Sequence, residues 1–193
     1  MLIISDPHFG KTGHFRKSGI SVPQGVFNED LHSLFDLIQF FKPSALLITG
    51  DMFHSHFNKE IDHFIKWRKD IAHLPVILVK GNHDILSEKV YQQAEIEIYN
   101  ECWQRRNFYF AHDIDSCKEA AVNDMYIFTG HIHPAVKVQL SSKQTARLPC
   151  FYFGKDHAIL PAFSLFTGGA TIDTKDGDTV FGITKKELIR ILG

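Results

Sequence analysis

Five short apolar segments of this sequence each end directly on acidic, amide or imidazole side chains. Each segment is rich in β-branched, leucine or aromatic residues and stops abruptly, which is the pattern of a buried strand. In open α/β sheets, ligands bind at the carboxyl ends of the strands, so we expect these polar side chains to meet at one edge. The segments with their endings are Leu2–Ser5 before DPH, Ala45–Thr49 before GDMFH, Val76–Lys80 before GNHD, Phe108–Ala111 before HD, and Met125–Thr129 before GHIH.

The residue types at these strand ends are those of a metal centre. Asp6 and His8 follow the first segment, Asp51 offers two carboxylate oxygens that can bridge two cations, and Asn82 offers an amide oxygen. Mixed carboxylate, imidazole and amide ligands suit Mn, Fe or Zn, and two such ions about 3.5–4 Å apart form the clamp used in phosphoester cleavage. One such motif occurs by chance, but five in compatible order predict a dinuclear hydrolase. The remaining candidate ligands are the imidazoles of His112, His131 and His133.

The first half of the chain alternates strand patterns with helical patterns. A helix is predicted from near Asn28 to Lys42, and a second helix is predicted to follow Asn58 as its cap. This β-α-β-α-β order favours a parallel sheet. Residues Gly10–Gly25 are predicted to form a loop rich in glycine and basic residues, and loops of this length in compact domains are usually functional.

The second half consists mainly of short β-type runs with weak helical periodicity. We therefore expect two stacked sheets with helices outside, in one domain that spans residues 1–193. A short helix is predicted over Ser87–Ala94, and Leu188–Ile191 fits a strand or a helix equally well. The predicted strands are Ile96–Tyr99, Phe108–His112, Tyr126–Thr129, Val136–Leu140, Cys150–Phe153, Ala170–Ile172 and Thr179–Ile183.

Composition narrows the classes of function. A formal net charge of −1 argues against a protein that holds nucleic acid by a strongly basic surface, although it leaves nucleic acid open as a substrate. The apolar runs are far shorter than the roughly 20 residues of a membrane helix, and no leader precedes the first strand, so we expect a cytoplasmic protein without a membrane segment. Three cysteines without metal-ligand spacing are expected to be reduced structural thiols.

The motifs DPH, GDMFH, GNHD, AHD and GHIH, in this order, resemble those of the calcineurin-like metallophosphoesterase superfamily. The resemblance implies a four-layered αββα sandwich, an α/β fold with two mixed sheets flanked by helices. It implies that His83 is the catalytic histidine. It also implies that Asp6, His8, Asp51 and His133 hold one metal, and that Asp51, Asn82, His112 and His131 hold the other.

A narrower resemblance covers about residues 5 to 172. The segments GKTGHFRKSGISVPQG, GDMFHSH, LPCFYFG and LPAFSLFTGG are similar to those of the ligase-associated DNA damage response endonuclease family PdeM. This implies a DNA substrate and, as partners, an ATP-dependent DNA ligase and a helicase. GDMFH also resembles the core of the double-strand-break repair nuclease, which implies that His54 lines the substrate phosphate. Family members carry a further segment before the first strand, so an edge strand is expected to be absent or replaced here.

The remaining candidates concern proton transfer and substrate contact. His83 can supply a proton to the departing alkoxide, and Asp84, adjacent in sequence, is the candidate partner that fixes its tautomer. Arg16 and His14, in the predicted first loop, are candidates for contact with a substrate phosphate. We expect two divalent ions, manganese first, with iron or zinc as the alternatives.

Two other classes of function stay open at this point. The near-neutral charge is compatible with a phosphatase or phosphodiesterase for small molecules such as nucleotides. A metal-binding scaffold without catalysis is the third class, and the presence of His83 together with the seven candidate ligands speaks against it. The sequence gives no indication of the oligomeric state.

Overall fold

The first four strands form a parallel sheet. The computed structural model describes residues 1–23, 25–54, 56–117, 125–141, 144–164 and 166–193, so Gln24, Ser55 and Leu165 of the motifs quoted above lie outside the described residues. The strands are β1 (Leu2–Ile4), β2 (Leu46–Thr49), β3 (Val76–Val79) and β4 (Ile96–Tyr99), in the order β1-β2-β3-β4. All neighbours run parallel, which confirms the sheet expected from the alternation of strands and helices.

Four helices accompany this sheet. They are α1 (Lys11–Lys17), α2 (Val26–Phe41), α3 (Lys59–Trp67) and α4 (Glu88–Gln93). Leu34 of α2, Phe64 of α3 and Tyr91 of α4 are at most 2% exposed and share one core with Ile48 and Leu78 of the sheet. No described helix combines the length and the apolar character that a membrane span requires.

Helix α1 corrects the first part of the loop predicted over residues 10–25, whereas residues 18–23 lie outside any helix or strand as predicted. The segment folds into a helix because it docks on the start of α3, where the Asn58 amide donates to the Gly10 carbonyl at 2.8 Å and the Gly13 N–H donates to the Glu60 carboxylate at 2.8 Å. Local sequence does not reveal this docking, since the two partners lie 47 and 48 residues away.

The bounds of α2 and α3 agree with the prediction except at one end. Helix α2 begins at Val26 rather than near Asn28, because Gly25 with a φ of 112° precedes it directly. It ends at Phe41, before Lys42, as predicted. Asn58 caps α3, and its side-chain oxygen accepts the backbone N–H groups of the second and third residues beyond it at 2.9 and 3.3 Å.

Over the described ranges, the second sheet has nine strands. They are β5 (Cys102–Arg105), β6 (Phe108–Ala111), β7 (Tyr126–Thr129), β8 (Pro134–Ser141), β9 (Gln144–Phe153), β10 (His157–Ile159), β11 (Ala170–Thr171), β12 (Thr179–Ile183) and β13 (Leu188–Leu192). Their order is β11-β8-β9-β10-β7-β6-β5, and β12 pairs with both β9 and β13. The last segment is therefore a strand rather than a helix, and β5 and β10 were not predicted. Strand β9 extends well before the predicted Cys150 because its first half pairs with β8.

The two sheets pack face to face through apolar side chains. Leu47 and Ile77 of the first sheet pack with Phe110 of the second, and Trp103 and Phe128 lie against them. The neighbouring residues along β2 and β3 face the helices instead, so the first sheet is buried on both sides. On the outer face of the second sheet, β6 and β7 pack with Cys117, which follows a short 3-10 helix at Ile114–Ser116. The predicted architecture of two stacked sheets flanked by helices is confirmed.

Backbone contacts join the carboxyl ends of β1, β2, β6 and β7 into one rim. The Asp6 N–H donates to the Gly50 carbonyl at 3.2 Å, and the Gly130 N–H donates to the His112 carbonyl at 3.0 Å. The His131 N–H donates to the Asp6 carboxylate at 3.1 Å and so connects the rim of the second sheet to that of the first. The polar endings of separate strands are thereby brought together.

Candidate metal centre

One group of donor atoms forms around the end of β1. The His133 Nε2 atom lies 3.3 Å from the His8 Nε2 atom and 3.3 Å from Asp6 Oδ1. Asp51 Oδ2 lies 4.0 Å from the same His8 nitrogen. Ligands about 2.0–2.2 Å from a shared ion stand roughly 3 to 4.4 Å from each other, depending on the angle between them, so these separations fit one cation. The structure thus brings together the four residues expected to hold one metal.

A second group of donor atoms forms around the His112 ring. The His112 Nε2 atom lies 3.0 Å from Asn82 Oδ1, 2.9 Å from His131 Nδ1 and 3.5 Å from Asp51 Oδ1. These are the four residues expected to hold the other metal. Asp51 therefore directs one carboxylate oxygen to each group, as a bridging ligand must.

The donor set fits a metal in orientation as well as in distance. The His112 Nδ1 atom lies 3.3 Å from the Thr49 carbonyl, and the His133 Nδ1 atom lies 3.1 Å from the Gly168 carbonyl. Donation to these carbonyls leaves the Nε2 lone pairs directed at the donor groups, the arrangement that metal-binding histidines use. Among the described residues, two sets of three residues each offer one ligand atom per residue, with the three atoms within 4.8 Å of one another. The sets are Asp6 with His8 and His133, and Asp6 with Asp51 and His112.

Burial keeps the ligand imidazole of His8 neutral. Burial, followed by the nearby charges of Lys11, His133, His54 and His83, lowers the pKa of His8 to about 2. For His133, burial acts to lower the pKa, but the hydrogen bond and charge of Asp6 and the contact with the Gly168 carbonyl raise it overall. A proton on His133 therefore competes with a cation for the same position, so metal binding is expected to weaken in acid.

The backbone is strained at most of these ligands. Asp6, His8, Asp51, His131 and His133 all have φ between 47° and 69°, in the left-handed region that non-glycine residues seldom occupy. Each such residue costs of order 1 kcal/mol or more, and strain of this kind persists only where the surrounding structure enforces it. Because the strain coincides with five of the seven candidate ligands, we interpret it as a property of the centre.

Glycines allow the strand ends to approach each other closely. A Cβ atom on Gly50 would lie 2.0 Å from the His112 ring, one on Gly81 would lie 2.2 Å from Asp51 Oδ1, and one on Gly130 would lie 1.7 Å from Ser5 Oγ. No side chain can occupy these positions without moving a ligand. The glycines of the GD, GNHD and GHIH motifs are thus explained by the space at the centre.

His83 and His54 lie beside the first donor group. The His83 side chain is 41% exposed, and its Nε2 atom lies 4.0 Å from Asp51 Oδ2. The two imidazoles stack with ring centroids 4.6 Å apart. Burial, together with His83, Lys11 and His14, lowers the pKa of His54 to about 4, so the His54 ring is neutral at pH 7. An exposed imidazole next to the donor atoms can exchange protons with a bound substrate.

Asp84 supports the loops rather than the His83 ring. Its carboxylate accepts backbone N–H groups from Met52 at 3.3 Å, Phe53 at 3.0 Å and Gly81 at 2.9 Å. Within the described residues, none of its hydrogen bonds goes to the His83 ring, so the predicted tautomer-fixing contact is absent. Asp84 instead ties the loop after β2 to the loop after β3. Its burial raises the pKa of the carboxyl to about 6.

The two candidates for substrate contact have different surroundings. The Arg16 guanidinium forms an ion pair with Glu60, and its contact with a substrate phosphate stays a prediction. The His14 ring lies 5.6 Å from the His54 ring and so borders the centre.

Sequence analysis missed two residues here. Lys11 is half-buried beside the donor groups, and Asp113 Oδ2 lies 3.9 Å from His131 Nε2, although both residues lie inside motifs quoted above.

Comparisons with known proteins agree with this geometry. The sequence matches the family model described as calcineurin-like phosphoesterase over residues 1–157. A comparison with curated proteins gave no significant match. Among solved structures, the chain is similar to nuclease MPE of Pseudomonas putida, with 24% identity and a TM-score of 0.74 over 93% of this chain and 82% of that chain. It is also similar to Yfce, a phosphoesterase from E. coli, with 15% identity and a TM-score of 0.49 over 93% of this chain and 86% of that chain.

The family assignment rests on sequence, since the family model spans most of the chain. The similarity to nuclease MPE shows the same fold. The structure brings the residues of the family motifs to one rim, with donor atoms 2.9–4.0 Å apart. The chain therefore belongs to the calcineurin-like phosphoesterase family.

Proposed function

We propose that this phosphoesterase cleaves phosphodiester bonds of nucleic acid with a pair of divalent cations, manganese first, and that its substrate is DNA under repair. The observation that carries the proposal is the placement of the Asp51 carboxylate between the two donor groups, with Oδ2 directed to one group and Oδ1 to the other. A nuclease is among the structures that share this fold. The earlier resemblance to the PdeM family supports DNA as the polymer, and a ligase and a helicase as functional partners.

The residues around the donor groups have separate tasks. When bound, the two cations supply Lewis-acid neutralisation of phosphate charge and an activated water. Asp51 positions both donor groups, and its Oδ1 atom also accepts the His83 backbone N–H at 2.9 Å, which places the His83 ring over the rim. His83 holds the proton that the leaving oxygen needs. His54 stacks behind it as a neutral, half-buried ring.

The central test is the pair of variants His83→Ala and His83→Gln, assayed on a diester and a monoester p-nitrophenyl phosphate with manganese. Loss of a positioned acid or base reduces turnover by about 10²–10⁴-fold, while the metal content is expected to stay unchanged. His73→Ala, which removes an exposed histidine before β3, whereas His83 follows β3, is the matched control. Wild-type turnover in both His83 variants would refute the assignment of His83.

A small-molecule phosphoesterase is the second candidate, and one feature favours it. A cavity of about 530 Å³ adjoins the second donor group and is lined by Lys80, Asn100 and Ser116 among others, and this volume is typical of a nucleotide-sized site. Cleavage of a DNA oligonucleotide at a higher kcat/KM than a cyclic or free nucleotide supports the nuclease. The reverse order would favour the second candidate, and no hydrolysis of either with manganese would favour a non-catalytic scaffold.

A further inference from the structure

Beyond the Asn58–Gly10 hydrogen bond at its start, helix α1 is fastened to α3 through one carboxylate. Glu60 Oε1 accepts the Thr12 hydroxyl at 2.6 Å, Oε2 accepts the Gly13 N–H at 2.8 Å, and the Arg16 guanidinium pairs with the same group. The Glu60 side chain is only 11% exposed. Partly buried, charge-assisted hydrogen bonds are stronger than exposed ones, so Glu60 sets the position of α1. The proposed nuclease activity does not by itself account for this arrangement.

The fastened helix presents its first residue to the metal centre. The Lys11 N–H donates to the His8 carbonyl at 3.0 Å, and one turn later the His14 ring lies 5.6 Å from the His54 ring. The Lys11 side chain is half-buried, and the charges of Asp51 and Asp6 act on its ammonium. Within the described part of the chain, no ion pair holds this ammonium. A cation removed from water needs a partner of opposite charge.

The missing partner is an anion from outside the chain. Asp6 and Asp51 attract Lys11, but both carboxylates also belong to the donor groups and lose their charge to any bound cations. An ammonium left beside a neutralised centre suits the non-bridging oxygens of a phosphate group. Arg16 is less available for this role, because Glu60 already pairs with it.

We propose that Lys11 binds the phosphate group of the substrate and that Glu60 is the positioning residue that holds α1 so that Lys11 faces the metal centre. The inference rests on the proposed function, because it names a contact with the phosphate that is cleaved. Lys11 thereby takes the role first assigned to Arg16. His14, on the same face of α1, remains a neighbour of His54 in this arrangement.

The first experiment measures inorganic phosphate binding to the manganese-loaded protein for wild type, Lys11→Met, Lys11→Arg and Lys17→Met. Lys11→Met is expected to weaken phosphate binding by about ten- to a hundredfold, which is the usual loss of a charged hydrogen bond. Its manganese affinity is expected to stay equal or to increase, because a positive charge next to the cations is removed. Lys11→Arg is expected to retain most of the phosphate affinity. Lys17→Met, on the exposed end of the same helix, controls for charge.

The outcomes separate this inference from the proposed function. Wild-type phosphate affinity in Lys11→Met overturns the inference, and so does a loss of manganese binding in that variant or the absence of phosphate binding in the wild type. Lys11-dependent phosphate binding without hydrolysis of any phosphodiester leaves the inference standing and overturns the proposed function. Diester hydrolysis with a normal KM in Lys11→Met overturns the inference and leaves the proposed function standing.

The role of Glu60 has its own readout. Glu60→Gln loses the ion pair with Arg16 and part of its hydrogen bonding to α1, so the KM for a diester is expected to rise about three- to tenfold with kcat and manganese affinity unchanged. Asp62→Asn is the matched control, since Asp62 lies on the same helix and forms an exposed pair with Lys66. An unchanged KM, or a fall in manganese affinity that accompanies the KM change, contradicts a positioning role.

Discussion

Gly130→Ala tests whether close approach of the strand ends creates the metal centre. The added Cβ atom would lie 1.7 Å from Ser5 Oγ and 2.5 Å from Asp6 Oδ2. Ser5 and Asp6 are at most 1% exposed, so neither side chain can turn away into solvent. The Ser5 hydroxyl also donates to the Thr49 carbonyl at 3.0 Å, which ties it to the next strand. The rim itself must therefore open to admit the methyl group.

The size of the effect follows from the distances. Ordinary contact begins at 3.4 Å, so Ser5 Oγ must move by 3.4 − 1.7 = 1.7 Å. Asp6 Oδ2 lies 2.5 Å from the added Cβ atom and must move by about 0.9 Å, whereas metal–ligand distances tolerate changes of only about 0.2 Å, so the first donor group is disrupted. We expect manganese affinity to fall by about 100-fold or more, beyond the 10- to 100-fold typical of outer-shell changes. Overpacking is expected to lower the free energy of unfolding by about 1–3 kcal/mol.

The assay compares Gly130→Ala with Gly168→Ala. Gly168 also lies at the centre, where its carbonyl accepts the His133 ring, but its Cβ atom would meet nothing within 4 Å. Manganese content after dialysis and urea unfolding in EDTA measure the two effects separately. We expect Gly168→Ala to stay within about 0.5 kcal/mol of wild type. If Gly130→Ala binds manganese as well as Gly168→Ala does, the close-approach explanation is refuted.

Three further perturbations test the centre. Asp84→Asn places an NH₂ group against at least one of the backbone N–H groups whose hydrogen bonds the carboxylate accepts. The free energy of unfolding of the metal-free protein, measured in urea, is therefore expected to fall by about 1–3 kcal/mol. An unchanged urea midpoint would contradict the role of Asp84 in tying the two loops together. Because the pKa of His8 is about 2 in the folded state and 6.5 in the unfolded state, only the unfolded state gains a proton as pH falls below 6.5. Metal-free wild type should thus lose about 1.4 kcal/mol more than His8→Gln between pH 7.5 and 5.5, and parallel pH profiles would exclude a buried neutral His8. When free manganese at about 100 times its Kd is removed with EDTA, the free energy of unfolding should fall by about 2.7 kcal/mol per site. An unchanged melting temperature would argue against a structured metal centre.

The ligand set is the part of the centre that sequence analysis predicts best. Asp6, Asp51, Asn82 and His131 each come directly after an apolar run, and the structure places all four in donor groups. Strand ends in a parallel sheet point to one edge, so the short apolar runs and their polar endings carry this information locally.

Partner choice is what sequence analysis predicted least well. Asp84 follows His83 directly, yet its carboxylate accepts backbone N–H groups from another loop, 31 and 32 residues away, as well as from Gly81. Arg16 lies in a basic segment, yet it pairs with Glu60. Adjacency in sequence indicates neither contact, because each depends on how two loops pack together.

Long-range pairing also explains the strands that were missed. β5 has polar and exposed residues, and it is a strand because it pairs antiparallel with β6 in the sheet. β10 is only three residues long, too short for a recognisable alternation, and it lies between β7 and β9. Neither segment carries a strong local preference for the strand conformation, so their pairing partners determine them.

The sequence by itself determined which chemistry is available: apolar runs long enough for buried strands, and acids, an amide and imidazoles at their ends. Only the tertiary structure decided how these side chains are used, because the left-handed backbone at five ligands and the close glycine contacts exist only when two sheets meet at one rim. The same folding decided that Glu60 neutralises Arg16 and leaves Lys11 without an ion pair among the described residues. Charge pairing over such distances depends on position in space, which neither composition nor local pattern contains.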